Sequence, residues 1–318
     1  MKFAIISDIH GNLPALNAVI ADAERKNVDK YIFVGDYCLS NPFPDECITR
    51  MKNIPNKYMI RGNEESYLEN LVGKDQSTWT DGQMQISYWC YRNISAENLQ
   101  YLLSLPEKVE FMCHNVSVHI SHSSAHFIEY AEHKEWSTAK VAERYKDNYI
   151  TQPILQKEIN TYFQQDEYSK AKIDALAEGI YIFGHSHIQW SYQSTSGKKT
   201  LINPGSCGLP LDCIEIGMPY TLLEIAENGN MKVEERRVPI NKNEYINIFL
   251  QSKQFEYANV WSKIILKELK TSREHLAFFL KYVEEYAIKI GDEQRPFSVS
   301  TWEKAYELWE KGGKICLQ

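Results

Sequence analysis

The chain has 318 residues, 43% of them hydrophobic and 24% charged, a balance that fits a globular protein and excludes a disordered or fibrous one. Its net charge of −7 argues against sequence-independent binding to nucleic acid or to an anionic membrane surface, since either needs a basic face. No apolar run reaches the length of a membrane span. The seven cysteines (Cys38, Cys47, Cys90, Cys113, Cys207, Cys213 and Cys316) are odd in number and form no C-x-x-C, so reduced thiols are expected rather than a disulfide or zinc framework. With an N-terminus too short in apolar residues for a signal peptide, the expected location is cytoplasmic.

In chain order, the first expected strand is FAIIS, which stops at Asp8, Ile9 and His10. A helix should follow: Asn12 stands at the N-cap, Pro14 in the first turn, and Leu16, Val19, Ile20 and Ala23 make one apolar stripe. YIFVG then leads to Asp36, and YMIRG leads to Asn63. These runs are too short for helices and rich in Ile, Val, Phe and Tyr, so they read as buried strands. Strand–helix–strand order predicts a parallel sheet with helices packed on it. Residues 64–105 read as helices, with Ser95 an N-cap and Ile94 and Leu99 spaced as a hydrophobic staple.

Farther along, VSVHIS runs to His122. Residues 125–178, rich in Glu, Lys, Tyr and Gln without strand alternation, predict a mostly helical insertion that overhangs the strand ends and sets selectivity. IYIFG leads to His185 and His187, and TLI to Asn203 in NPGS. Hairpin turns are expected at Ser196-Gly197 and Asn228-Gly229. From about residue 240 the pattern becomes helical, as in NVWSKIILKEL and REHLAFFLKYVEEYAIKI. The expected organisation is therefore a domain over 1–240 and a helical extension over 241–318, packed on it or forming an oligomer contact.

Open sheets with parallel strands bind ligands beyond the carboxyl ends of their strands, and Asp8, His10, Asp36, Asn63, His122, His185, His187 and Asn203 all fall there. Asp8, His10, Asp36, Asn63, His122, His185 and His187 supply two carboxylates, four imidazoles and an amide. If Asp36 is shared, these side chains give four bonds to each of two metal ions. Mixed nitrogen and oxygen donors without thiolate suit Mn²⁺ or Fe and admit Zn²⁺. Two divalent ions less two aspartates and a bridging hydroxide leave a charge of about +1, a site for an anionic phosphate.

The five motifs (D-x-H-G-N at 8–12, G-D at 35–36, G-N at 62–63, His122, and G-H-S-H at 184–187) resemble those of the calcineurin-like metallophosphoesterase superfamily. NPGSCGLP at 203–210 resembles the segment after G-H-x-H in its small bacterial and archaeal phosphodiesterase branch. The resemblance implies a four-layer α/β/β/α fold, two packed mixed sheets flanked by helices. It also implies that Asp8, His10, Asp36 and His187 hold one metal and that Asp36, Asn63, His122 and His185 hold a second. The implied activity is hydrolysis of a phosphate ester or dinucleoside polyphosphate by in-line attack of a metal-bound hydroxide. A monoesterase on nucleotides or sugar phosphates, and a silent binding protein on the same fold, are the alternatives.

Three departures matter. Glu64 stands where many relatives have a histidine after the motif-three Asn, motif two reads GDYCLSN without the arginine of protein phosphatases, and motif four reads His122-Ser123-Ser124. A protein phosphatase is thereby disfavoured. Glu64 near two cations would stay ionised and serve poorly as an acid; it is expected to bond water or a ribose hydroxyl, or to cap a helix. Candidate substrate contacts are Asn12 (N-cap or phosphate donor), Arg61 and His126. His114, His119, His133 and His275 are expected to be ordinary histidines.

Overall fold

The computed structural model describes residues 1–312, so Cys316 lies outside the described residues. The ten described strands are β1 (Lys2–Ile6), β2 (Lys30–Phe33), β3 (Lys57–Met59), β4 (Lys108–Cys113), β5 (Val116–Ser121), β6 (Gly179–Ile182), β7 (Gln189–Gln193), β8 (Lys199–Pro204), β9 (Met218–Ile225) and β10 (Met231–Val238). They form two five-stranded sheets, ordered β10-β9-β1-β2-β3 and β4-β5-β6-β8-β7. Parallel pairing runs through β1, β2 and β3 in one sheet, with antiparallel β9 and β10 on one side of it, and through β5, β6 and β8 in the other, with antiparallel β4 and β7 at its edges.

Alternation along these strands assigns their side chains to layers. Phe3, Ile5, Ile32, Val34 and Ile60 from the first sheet meet Val118, Ile120, Ile180, Ile182 and Ile202 from the second in one core between the sheets. Ala4, Ile6 and Phe33 point the other way, onto helices. Both faces of the central strands are covered, which is why their sequences are apolar runs rather than alternating ones. Each fully buried Ile or Phe contributes about 1.5–3 kcal/mol through burial.

The outer layer on the first sheet contains α1 (Leu13–Arg25), α2 (Pro44–Lys52), α3 (Asn63–Glu69), α4 (Gln85–Asn93) and α5 (Ala96–Leu103). The Asn12 side chain accepts a hydrogen bond from Ala15 N, and that of Ser95 from Asn98 N, so both are N-caps. On the second sheet lie α6 (Ala125–Ile128), α7 (His133–Trp136), α8 (Thr138–Tyr145), α9 (Gln152–Gln165) and α10 (Glu167–Ala175). The segment is helical as expected, and its overhang of the strand ends is confined to its start, where Tyr130 and His133 lie beside His185. Leu155, Ile159, Phe163 and Ile173 are buried against Trp190, Tyr192 and Leu201, so α9 and α10 are drawn onto the sheet face. Strand β4, with Val109, Phe111 and Cys113 turned inward, is an edge strand outside the expected set.

Five helices complete the described chain: α11 (Lys242–Leu250), α12 (Lys253–Tyr257), α13 (Val260–Thr271), α14 (Leu276–Ile290) and α15 (Val299–Glu310). Val260, Ile264, Phe279, Val283 and Trp302 form a core among them. Tyr245, Phe249, Ile265 and Leu269 pack on Leu209 and Leu211, just after β8. No described helix is long and apolar enough to cross a membrane.

Candidate metal centre

The parallel register aligns Ile6 with Phe33 and Phe33 with Met59, so Asp8, Asp36 and Asn63 leave the first sheet side by side. Ile120 is likewise level with Ile182, and Ile182 with Ile202, which brings His122, His185 and His187 to the same edge of the second sheet. Within the second edge Gly184 N donates to His122 O at 2.9 Å, and Gly208 N, donating to Asp8 O at 3.0 Å, ties the two edges together.

All seven sequence-selected residues converge there, in two groups. In the first, Asp8 Oδ1 lies 4.0 Å from His10 Nε2 and 3.5 Å from His187 Nε2. In the second, His122 Nε2 is 3.1 Å from both Asp36 Oδ2 and Asn63 Oδ1, and His185 Nδ1 is 2.9 Å from Asn63 Oδ1. Asp36 also clusters with His10 and Glu64, so it stands between the groups. The other Asp36 oxygen accepts from Glu64 N at the start of α3, at 2.9 Å.

Hydrogen bonds behind the cluster choose which ring nitrogens face inward. His10 Nδ1 is 3.0 Å from Glu64 Oε1, His122 Nδ1 is 2.6 Å from Val34 O, and His187 Nδ1 is 2.9 Å from Leu209 O. Each leaves Nε2 pointing at the centre, which is how metal-ligating imidazoles are oriented. His10 Nε2 and His187 Nε2 are only 2.9 Å apart, and two facing lone pairs need a proton or a cation to hold them there. The donor set therefore fits divalent metal: Asp8, His10 and His187 could hold one ion, Asn63, His122 and His185 another, and Asp36 could serve both.

The electrostatics favour positive charge at this point. Burial opposes protonation of His10, but Glu64 and Asp36 outweigh it and lift the imidazole to about 9. For His122 burial is likewise overcome by Asp36, which raises it to about 10. Burial pushes Asp36 up, yet His122 prevails and holds the carboxyl well below its usual range. Asp8 is raised, chiefly by burial, and burial lowers His185 and His187.

The backbone is strained to make this arrangement. Asp8, His10, Asp36, His185 and His187 all have φ between 52° and 69°, a left-handed conformation that costs a non-glycine residue about 1 kcal/mol or more. Space is equally tight. A Cβ on Gly184 would lie 2.0 Å from Ser7 Oγ and 2.5 Å from Asp8 Oδ2, and one on Gly62 would lie 2.2 Å from Asp36 Oδ1. Only glycine fits these two positions.

The remaining candidates lie differently. Both arms of the Asn12 amide are taken up inside the protein, by Ala15 N and Gly208 O. Arg61 is paired with Glu69 and Glu107, at 2.9 and 3.0 Å; with His126 it borders a shallow cavity of about 180 Å³ that reaches His122 and His185. Glu64 is buried, with its second oxygen accepting from Leu39 N at 3.0 Å, so it supports His10 rather than facing solvent. Three residues were not anticipated. Glu65 accepts from Asp36 N, Tyr37 N and Gly62 N and so fixes the motif-two and motif-three loops. His133 and Tyr130 lie beside the His185 ring, His133 stacked with it at 6.2 Å. Burial, with His185, lowers His133 to about 4, so it is neutral near neutral pH.

A larger cavity of about 480 Å³ opens from His10, Asp36, Asn63, His185 and His187. Residues after 260, in the extension expected to pack on the domain or to form an oligomer contact, also line it: Trp261, Ile265, Glu268, Glu274, Leu276 and Leu280.

Residues 1–228 match the model of the calcineurin-like phosphoesterase superfamily domain. An uncharacterised protein of Methanocaldococcus jannaschii is 28% identical over 250 residues, which is 74% of this chain and 86% of that protein. The structure of a metallophosphoesterase from Sphaerobacter thermophilus superposes with a TM-score of 0.58 at 22% identity, covering 86% of this chain and 100% of that one. A hypothetical protein from Pyrococcus horikoshii OT3 gives 0.59 at 16% identity, covering 86% and 99%. These two structural likenesses establish the fold.

Proposed function

This chain belongs to the calcineurin-like phosphoesterase superfamily, and we propose that it hydrolyses phosphodiesters at a dinuclear metal centre. Asp8, His10 and His187 would hold one ion, Asn63, His122 and His185 the other, and Asp36 both. The chemistry that a pair such as Mn²⁺ or Fe supplies in such a site is polarisation of the phosphoryl oxygens and activation of water at neutral pH. The neutral amide of Asn63 adds a ligand without cancelling the positive charge. Glu64 keeps His10 oriented, and the Asp36 carboxylate is held by the α3 amide and His122.

The observation that carries the diester preference is the lining of the larger cavity. Among its described lining residues there is no Lys or Arg, whereas Glu64, Glu268 and Glu274 are present. A monoester dianion or a polyphosphate chain needs more counter-charge than the metal centre provides, and a diester monoanion needs less. Arg61, which borders the shallower cavity, is already paired with two glutamates. Asn12 is read as a structural residue, and His126 as the edge of the shallower cavity.

The test compares bis(p-nitrophenyl) phosphate with p-nitrophenyl phosphate on protein stripped of metal and refilled with Mn²⁺, Fe²⁺ or Zn²⁺. Metal-dependent turnover with kcat/KM at least about tenfold higher for the diester is expected. Preference for the monoester would overturn the diesterase reading. Two bound metals without turnover of either ester would favour a binding protein on this fold.

A further inference from the structure

We infer that the helices following residue 241 form the specificity wall of the active site and that this wall receives an apolar, ring-bearing substituent of the diester, an inference that rests on the diesterase reading above. The cavity of about 480 Å³ is lined by metal-ligand candidates and by the apolar side chains of Leu209, Leu211, Trp261, Ile265, Leu276 and Leu280. The last four come from α13 and α14, beyond the 1–228 stretch that matches the family. Phosphate chemistry and substrate choice are thus divided between two parts of the chain.

Hydrogen bonds and packing fix the wall relative to the metal centre. Trp261 Nε1 donates to Gln83 O at 2.6 Å. Tyr245 Oη on α11 donates to Asn41 Oδ1 at 2.7 Å, and Asn41 N donates in turn to His10 O at 2.8 Å. Ile265 belongs to the same buried cluster as Leu209 and Leu211, and Leu209 O is the partner of His187 Nδ1. A substituent resting on the wall is therefore held at a set distance from the phosphate.

The wall's chemistry selects its occupant. Among the described residues that line the cavity it offers no Lys or Arg to meet a second phosphate, and its two carboxylates are engaged within the protein. Glu268 accepts from His275 N and Leu276 N at 2.8 Å each, and Glu274 accepts from Thr138 Oγ1 at 2.6 Å and Ala277 N at 2.7 Å. Leucine, isoleucine and tryptophan faces gain by losing water to a flat apolar group and gain nothing from an anion.

The test measures binding of diphenyl phosphate and dimethyl phosphate to the metal-loaded protein by calorimetry, so that it does not depend on turnover. Wild type should bind the diphenyl ester at least about tenfold more tightly. In the Leu276→Gln/Leu280→Gln variant the ratio should fall toward one. In Ile288→Gln, whose side chain on the same helix is 63% exposed and outside the cavity, it should stay at the wild-type value. Leu276 is only partly buried, so Leu276→Gln alone carries the same expectation if the double variant does not fold. Equal binding of the two esters by wild type, or a ratio that survives in a folded variant, would overturn the inference. If neither diester binds and phenyl phosphate does, the diesterase reading fails, and phenyl against methyl phosphate on the same variants then decides the wall by the same ratio.

Discussion

Glu64 follows Asn63 directly, and one of its oxygens meets His10 Nδ1 while the other accepts from Leu39 N. Glu64→Gln keeps the volume and removes the charge that holds the His10 ring with Nε2 facing the cluster. Metal affinity is expected to fall about tenfold or more with the fold intact, read by chelator competition on wild type and variant. Unchanged affinity would remove Glu64 as the support of His10. Gly184→Ala tests the same centre sterically: its Cβ would press on Ser7 Oγ and Asp8 Oδ2, and loss of metal binding is the expected outcome of the same titration. At this scale much of the site was legible, because Asp and His at consecutive strand ends have few roles other than ligation. The supports were not, since Val34 and Leu209 act through backbone carbonyls that leave no mark in a sequence. Glu65 left only a faint one: a carboxylate three residues after Gly62 can accept from the Gly62 N–H, but glycine has no side chain to return the bond.

Between elements, a partly buried ion pair joins helix to sheet. Asp22 on α1 accepts from Tyr220 Oη on β9 at 2.7 Å and from Arg236 Nε on β10 at 2.8 Å. Burial raises the Asp22 carboxyl, but Arg236, Tyr220 and Arg25 together outweigh it and hold the group at about 2, below its usual 3.8. A depressed carboxyl adds stability that is complete above the unfolded value and vanishes as pH falls through the folded one. The contribution, about 1–2 kcal/mol after screening of the part-exposed partners, should therefore be full above about pH 4 and lost between about pH 4 and 2. Urea unfolding at stepped pH should show Asp22→Asn less stable than wild type at neutral pH, with the gap narrowing over that acid window. A gap that stays constant down to pH 2 would mean the pair contributes nothing through charge. Elements with a single strong period were readable, as α1 and the central strands show. The placement of 125–178 was not, because its apolar stripe specifies burial without saying which surface it meets, and Trp190 and Tyr192 supplied the surface.

For the molecule as a whole, the question is whether the C-terminal helices and the metal centre unfold together. Phe249, Ile265 and Leu269 share a buried cluster with Leu209 and Leu211, and the Tyr245–Asn41–His10 chain reaches a metal-ligand candidate. Opening those helices would uncover Leu209, whose carbonyl holds His187. Anything that binds the folded centre should then stabilise α13 and α14 as much as β1 and β2, although neither helix supplies a candidate ligand. Metal at about 100 times its Kd adds about 2.7 kcal/mol to the folded state, which slows amide exchange through global opening by about a hundredfold. Exchange followed by mass spectrometry, with and without Mn²⁺, should show that slowing in peptides from Val260–Thr271 and Leu276–Ile290 and in peptides from Lys2–Ile6. If the helical peptides exchange at one rate in both conditions while Lys2–Ile6 slows, residues 241–318 open independently of the centre. A wall that opens on its own cannot hold a substituent at a fixed distance from the phosphate, so the selectivity assigned to Leu276 and Leu280 would then have to arise elsewhere in the cavity.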